Sequence, residues 1–305
     1  MKLILVSTIL TGLLNLNLTI MNAQVTRSAI QAPTEYTTVG SYKIAYRIIG
    51  EGIPILMCNR FRGTLDTWDP LFLDTLAESF QVITFDYPGI GYSTGALPEN
   101  IPDIAKVAND LAKSLGVKSL VILGWSYGGY VAQQIAYQYP ELVTHSILVG
   151  TNPPGKNDIP LEPIFLEKAL KPINDFEDET VLFFEPVSEI SLASARRSHD
   201  RIYQQLEVSR IPSTMEVFDK YFKGGALFKE DTNNLREHLL NSVTPTLILC
   251  GDHDVSFAVE NWFPFLRKMP NGQLLIYTQS GHAPQHQLPE LSAFYIRDFV
   301  MNTGK

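Results

Sequence analysis

The sequence predicts an α/β protein: a mostly parallel, eight-stranded sheet with helices on both faces and a helical cap inserted into it. Three observations point there. Short apolar runs of strand length alternate with segments of helical periodicity between residues 36 and 149. That alternation breaks at 151 and resumes at 245. One of the runs, Pro54 to Cys58, is apolar throughout, as a strand covered on both faces requires.

The elements follow in order. Tyr36 to Val39 and Lys43 to Ile49 flank Gly40-Ser41 and read as a β-hairpin. Pro54 to Cys58 is the third strand. Pro70 to Phe80 reads as a helix with Pro70 in its first turn and Leu71, Leu73, Leu76 and Ala77 inward. Gln81 to Phe85 is a strand, followed by the tight loop Asp86 to Ser93. Ile101 to Leu115 repeats apolar residues at three- and four-residue spacing and stops at Gly116. Ser119 to Leu123 is a strand, Tyr127 to Tyr139 a helix and Ser146 to Val149 a strand. Residues 151–243 carry helical patches with no clean strand. Thr246 to Cys250 and Gln273 to Tyr277 are then strands, Val259 to Lys268 a helix, and Leu291 to Met301 a terminal helix packed through Phe294, Phe299 and Val300. The expected division is a core of residues 34–150 and 244–305 with a cap of 151–243.

The chain has 305 residues, enough for one large domain with an insertion. A formal net charge of −8 and the lack of a long basic run argue against nucleic acid or an anionic membrane as partner. A small-molecule substrate is expected instead. Lys2, an apolar stretch and Ala23 read as a signal peptide over residues 1–23, with a secreted or periplasmic product. Thr8, Thr11, Asn15 and Asn17 interrupt the stretch as a membrane span. Cys58 and Cys250 lack a nearby Cys or His at metal-ligand spacing, so no metal site is suggested.

The chemistry concentrates at Gly124-Trp125-Ser126-Tyr127-Gly128-Gly129. G-x-S-x-G between a strand and a helix squeezes the serine into a sharp turn with its hydroxyl exposed. The helix N-terminus aims its positive end at the site, and the Tyr127 N–H is free to donate to a developing oxyanion. Ser126 is therefore the candidate nucleophile.

With this motif the chain resembles the α/β-hydrolase superfamily from about Thr34 to the C-terminus. The resemblance is carried by Asn59 to Trp68, Asp86 to Ser93, Gly124 to Gly129, Gly251 to Asp254 and Ser280 to His282. It implies a cofactor-free serine hydrolase. His282, in Ser280-Gly281-His282, is similar to the family's catalytic base. Gly251-Asp252-His253-Asp254 holds the orienting acid, and similar sequences place it at the later carboxylate, Asp254, with Asp252 left to close the turn. By position, the second oxyanion donor is the Phe61 N–H. Here the sequence departs from the family, because Asn59-Arg60 replaces the usual His-Gly pair.

Several readings stay open on the sequence. Arg60 and Arg62 beside the oxyanion loop could select a carboxylate-bearing substrate, or could simply pair with Asp66, Asp69 or the solvent. Trp125 could line the substrate pocket or pack beside the elbow. Cap aromatics could in part form an acyl or alcohol pocket. The acidic run Asp175 to Glu179 could be solvated or could hold a substrate amine. An ester of a small or medium acid is the expected substrate. Aminopeptidase, carbon–carbon bond hydrolase and perhydrolase activities share the triad, and a non-enzymatic ligand-binding protein could use the same fold. In the superfamily's usual strand order two strands separate Cys58 from Cys250, about 14 Å, too far for a disulfide.

Overall fold

A computed structural model describes residues 28–304. The expected signal peptide lies outside these residues. Eight strands form one sheet: β1 (Glu35–Val39), β2 (Tyr42–Ile49), β3 (Ile53–Cys58), β4 (Phe80–Phe85), β5 (Leu120–Trp125), β6 (Val143–Val149), β7 (Thr246–Gly251) and β8 (Gly272–Tyr277). Their order is β1-β2-β4-β3-β5-β6-β7-β8. β2 runs antiparallel to both its neighbours, and every later pair is parallel.

The helices are α1 (Pro70–Ala77), α2 (Ile101–Ser114), α3 (Tyr127–Gln138), α4 (Pro163–Ala169), α5 (Phe176–Phe183), α6 (Glu189–Ile202), α7 (Met215–Glu230), α8 (Leu235–Asn241), α9 (Pro284–Gln287) and α10 (Pro289–Asn302). α4 to α8 all fall between β6 and β7. Two apolar layers sandwich the sheet. One joins Leu56, Ile122 and Leu148 to α2 and α3; the other joins Ile55, Val121 and Leu247 to α1 and α10. Alternate residues of one strand thus enter opposite layers, so the strands read as unbroken apolar runs.

Some local expectations shift. Val259–Phe265 is a 3-10 segment rather than an α-helix, because Pro264 inside it cannot donate to an α-helical ladder. α1 buries Phe72 with Leu73 and Leu76, while Leu71 lies half-buried. In α10 Phe294 is exposed, and Ala293, Ile296, Phe299 and Val300 face the sheet. Cys58 ends β3 and Cys250 sits in β7, with β5 and β6 between them. Both are free buried thiols, and burial pushes both well above the ordinary thiol range.

Candidate active site

Ser126 is the single residue between β5 and α3. Its backbone has φ 61° and ψ −122°, a conformation that L-residues avoid unless the surroundings enforce it. The enforcement comes from backbone crowding. A Cβ at Gly124 would stand 2.1 Å from the Gly128 carbonyl oxygen, and one at Gly128 would stand 2.0 Å from the Cys58 carbonyl oxygen. Only glycine lets the elbow close and seat α3 against the end of β3. The Ser126 carbonyl accepts from the Thr151 hydroxyl at 2.8 Å, which fixes the turn from the β6 side.

The loop after β7 supplies the candidate acid. Asp254 Oδ2 lies 2.7 Å from His282 Nδ1, and both side chains are buried. Asp254 Oδ1 accepts from the amides of Ser256 (2.8 Å) and Phe257 (2.9 Å), so the carboxylate cannot turn away. Asp252 instead accepts from the Ser280 amide at 3.1 Å and closes the turn. With Nδ1 committed to a carboxylate, Nε2 is the ring nitrogen left to act as base. The histidine loop is held by Trp125, whose Nε1 donates to the His282 carbonyl at 2.9 Å. Ser126 and His282 line one cavity of about 20 Å³, room for about one water. Among the described residues no hydrogen bond yet joins Ser126 Oγ to His282, which is common before substrate binds.

The backbone N–H groups of Tyr127 and Phe61 have no protein acceptor among the described residues. The elbow glycines bring their two segments together, since Gly128 abuts the carbonyls of Cys58 and Asn59. Asn59 stiffens the loop: its Nδ2 donates to the Phe85 carbonyl at 2.8 Å and its Oδ1 accepts from Trp68 Nε1 at 2.7 Å. Asp86 ties the neighbouring loops by accepting from the amides of Leu65 and Tyr92, both at 2.8 Å.

The arginines do not pair with Asp66 and Asp69. Arg47 takes Asp66 at 2.7 Å, and Arg201 of α6 takes Asp69 with two bonds of 2.8 and 2.6 Å. Arg62 adopts φ 60° and is buried. Its guanidinium donates to the carbonyls of Ala169, Lys171, Pro172 and Pro212 and to Asn174 Oδ1, at 2.7 to 3.1 Å. Arg62 therefore fastens the segments that follow α4 and precede α7 to the loop after β3, a role with no sequence signal. Arg60 has its guanidinium over the rings of Trp125 and Phe183, at 5.3 and 4.6 Å. It lines the Ser126 cavity, as do Phe165 and Phe183 from the cap. Trp125 is not on that wall; it lines the adjoining cavity with Arg60 and packs on Trp68 and His286. Burial drives His286 down to about 4, so it stays neutral, and its Nε2 accepts from the Asp69 amide at 3.3 Å.

Three of the four acids in the run Asp175 to Glu179 are already engaged. Asp175 caps the helix by accepting from the Asp178 amide, Asp178 meets Lys171 at 2.6 Å and Lys168 at 3.4 Å, and Glu179 accepts from Tyr203 and contacts His199 Nδ1 at 2.7 Å.

His253 straps the acid loop to the cap through a hydrogen bond to Glu185, with Glu162 3.6 Å from its Nε2. Burial pulls its pKa down, but the Glu185 bond and the charges of Glu185, Glu162 and Asp252 outweigh this and raise it. A raised folded value stabilises fully below the unfolded pKa of about 6.5 and fades as pH climbs through the folded value. The Tm gap between wild type and His253→Gln should therefore be wider at pH 6 than at pH 9. A gap independent of pH would refute the strap.

A sequence profile described as the alpha/beta hydrolase fold matches residues 53–289. The chain is similar to a poly(3-hydroxyalkanoate) depolymerase of Ectopseudomonas oleovorans, 29% identical over 231 residues, 75% of this chain and 77% of the relative. It is similar also to a pimeloyl-(acyl-carrier protein) methyl ester esterase of Vibrio campbellii, 25% identical over 263 residues, 85% and 99% of the two chains. Among solved structures, an alpha/beta hydrolase fold protein from Chitinophaga pinensis matches with a TM-score of 0.79 at 25% identity, covering 91% of this chain and 100% of that one.

Proposed function

We propose that this chain, which belongs to the alpha/beta hydrolase fold family, is a serine hydrolase that cleaves carboxylic esters through an acyl-enzyme. The observation that carries the reading is the shared cavity of Ser126 and His282, with His282 Nδ1 held by Asp254 at 2.7 Å. Ester-cleaving activity in the name of the Vibrio relative supports the bond type.

In the proposed reaction Ser126 Oγ attacks the ester carbonyl while its proton passes to His282 Nε2. Asp254 steadies the imidazolium. The amides of Tyr127 and Phe61 receive the negative charge that builds on the carbonyl oxygen. Collapse breaks the C–O bond of the alcohol, which leaves with the proton from His282. Water then attacks the acyl-enzyme, giving a proton to His282; collapse breaks the bond between Ser126 Oγ and the acyl carbon, His282 returns the proton to Oγ, and the acid is released. The aminopeptidase alternative loses support from the α5 run, because Asp175, Asp178 and Glu179 already have partners within the cap.

A fluorophosphonate should add to Ser126 in wild type, visible by intact mass, and not to Ser126→Ala. On a panel of p-nitrophenyl esters Ser126→Ala should lose about 10⁴- to 10⁶-fold in kcat. Equal rates for the two proteins would overturn the assignment.

A further inference from the structure

Arg60 is the cation the mechanism leaves unused. Arg47 and Arg201 have carboxylate partners, and Arg62 has its carbonyl acceptors. Arg60 has one acceptor, the Phe61 carbonyl, reached from Nη1 at 2.7 Å. Its Nε is enclosed and has no hydrogen-bond partner among the described residues. Burial lowers its pKa only to about 10, so it remains charged at neutral pH. A half-buried guanidinium without an anion is costly, and stacking on Trp125 and Phe183 satisfies its ring-facing sides but none of its N–H donors. The carboxylate whose charge it feels is Glu179, which lies beyond ion-pair distance and is engaged by His199 and Tyr203.

Its position gives the unpaired charge a use. Three cavities share Arg60 and Phe183 on their walls: the Ser126–His282 cavity, one of about 40 Å³ and one of about 170 Å³. Arg60 thus stands beside the nucleophile with donors in a planar fork that fits a carboxylate. Glu179 lines the two outer cavities but not the one at Ser126, so an anion meets Arg60 with least repulsion from the nucleophile side.

We propose that Arg60 is an anion subsite next to Ser126, and that the preferred substrate is an ester carrying a free carboxylate. The inference rests on the serine-hydrolase reading for its location beside a reacting ester. The carboxylate could belong to the acid or to the alcohol half, and the test separates them.

Matched pairs read the preference in kcat/KM. On the acid side, mono-p-nitrophenyl glutarate is compared with p-nitrophenyl butyrate. On the alcohol side, 4-carboxyphenyl butyrate is compared with phenyl butyrate. Wild type should favour the anionic member of one pair by about tenfold or more, and the pair that responds names the half. Arg60→Met should reduce that ratio by about tenfold, and Arg60→Lys by less, since it keeps the charge without the fork. Calorimetry on Ser126→Ala gives a readout free of turnover. Glutarate or 4-hydroxybenzoate should bind saturably there and lose binding when Arg60→Met is added. Wild-type ratios of one or below in both pairs would overturn the subsite, as would an Arg60→Met ratio equal to wild type. Those wild-type ratios decide the matter even where Arg60→Met fails to fold. Carboxylate binding without turnover of any ester would refute the hydrolase reading and leave the subsite standing.

Discussion

Asp254→Asn is expected to lower kcat by about 10⁴-fold while the protein stays folded. The hydrogen-bond directions around this side chain give the reason. Oδ1 accepts from the amides of Ser256 and Phe257, so an asparagine would keep its oxygen there and turn its NH₂ toward His282. His282 Nδ1 would then have to accept, which puts the ring proton on Nε2 and removes the base from Ser126. Asp252→Asn is the matched control. Asp252 accepts from the Ser280 amide, a bond that an amide oxygen can also accept, so kcat should stay within about tenfold of wild type. Kinetics of the two variants on one p-nitrophenyl ester, with melting curves, check both. A larger loss from Asp252→Asn would reassign the acid.

Gly128→Ala is expected to cost about 3 kcal/mol or more of stability and to lower ester turnover with it. The new Cβ would sit 2.0 Å from the Cys58 carbonyl oxygen, 2.5 Å from its carbon and 2.8 Å from the Asn59 carbonyl oxygen. These are backbone atoms and cannot swing aside. Relief must come from pushing α3 off the end of β3, which also separates Tyr127 from Phe61. Gly225→Ala in α7 should do the reverse. Its Cβ would meet only Tyr130, at 3.8 Å, and the gain in helix propensity is about 0.5–1 kcal/mol. Urea melts of both variants test the contrast. Gly128→Ala as stable as wild type would mean that the elbow is not held by that close approach.

The elbow was legible because its causes are local. A strand ending at Trp125, a helix starting at Tyr127 and glycines at 124 and 128 follow one another in the chain. The candidate acid was legible as one of two carboxylates; the choice of Asp254 rested on resemblance, and in the fold Asp254 is the one that contacts His282. Phe294 was misread because apolar character says nothing about which side of α10 meets the sheet, and that side carries Ala293, Ile296 and Val300.

The alternating order of sheet and helix, the fold class and the candidate nucleophile could be read from the chain alone, since periodicity and turn chemistry act between neighbours. What the arginines do depends on the folded chain. Arg62 reaches acceptors more than a hundred residues away, at Ala169 and Pro212. Most of those acceptors are carbonyl oxygens, which every residue carries, so nothing in the sequence marks the ones that an arginine will find. Arg201 likewise claims Asp69 across 132 residues. The consequence falls at Arg60: with those carboxylates spoken for, its charge has no carboxylate partner among the described residues beside Ser126, and only the folded chain could show that.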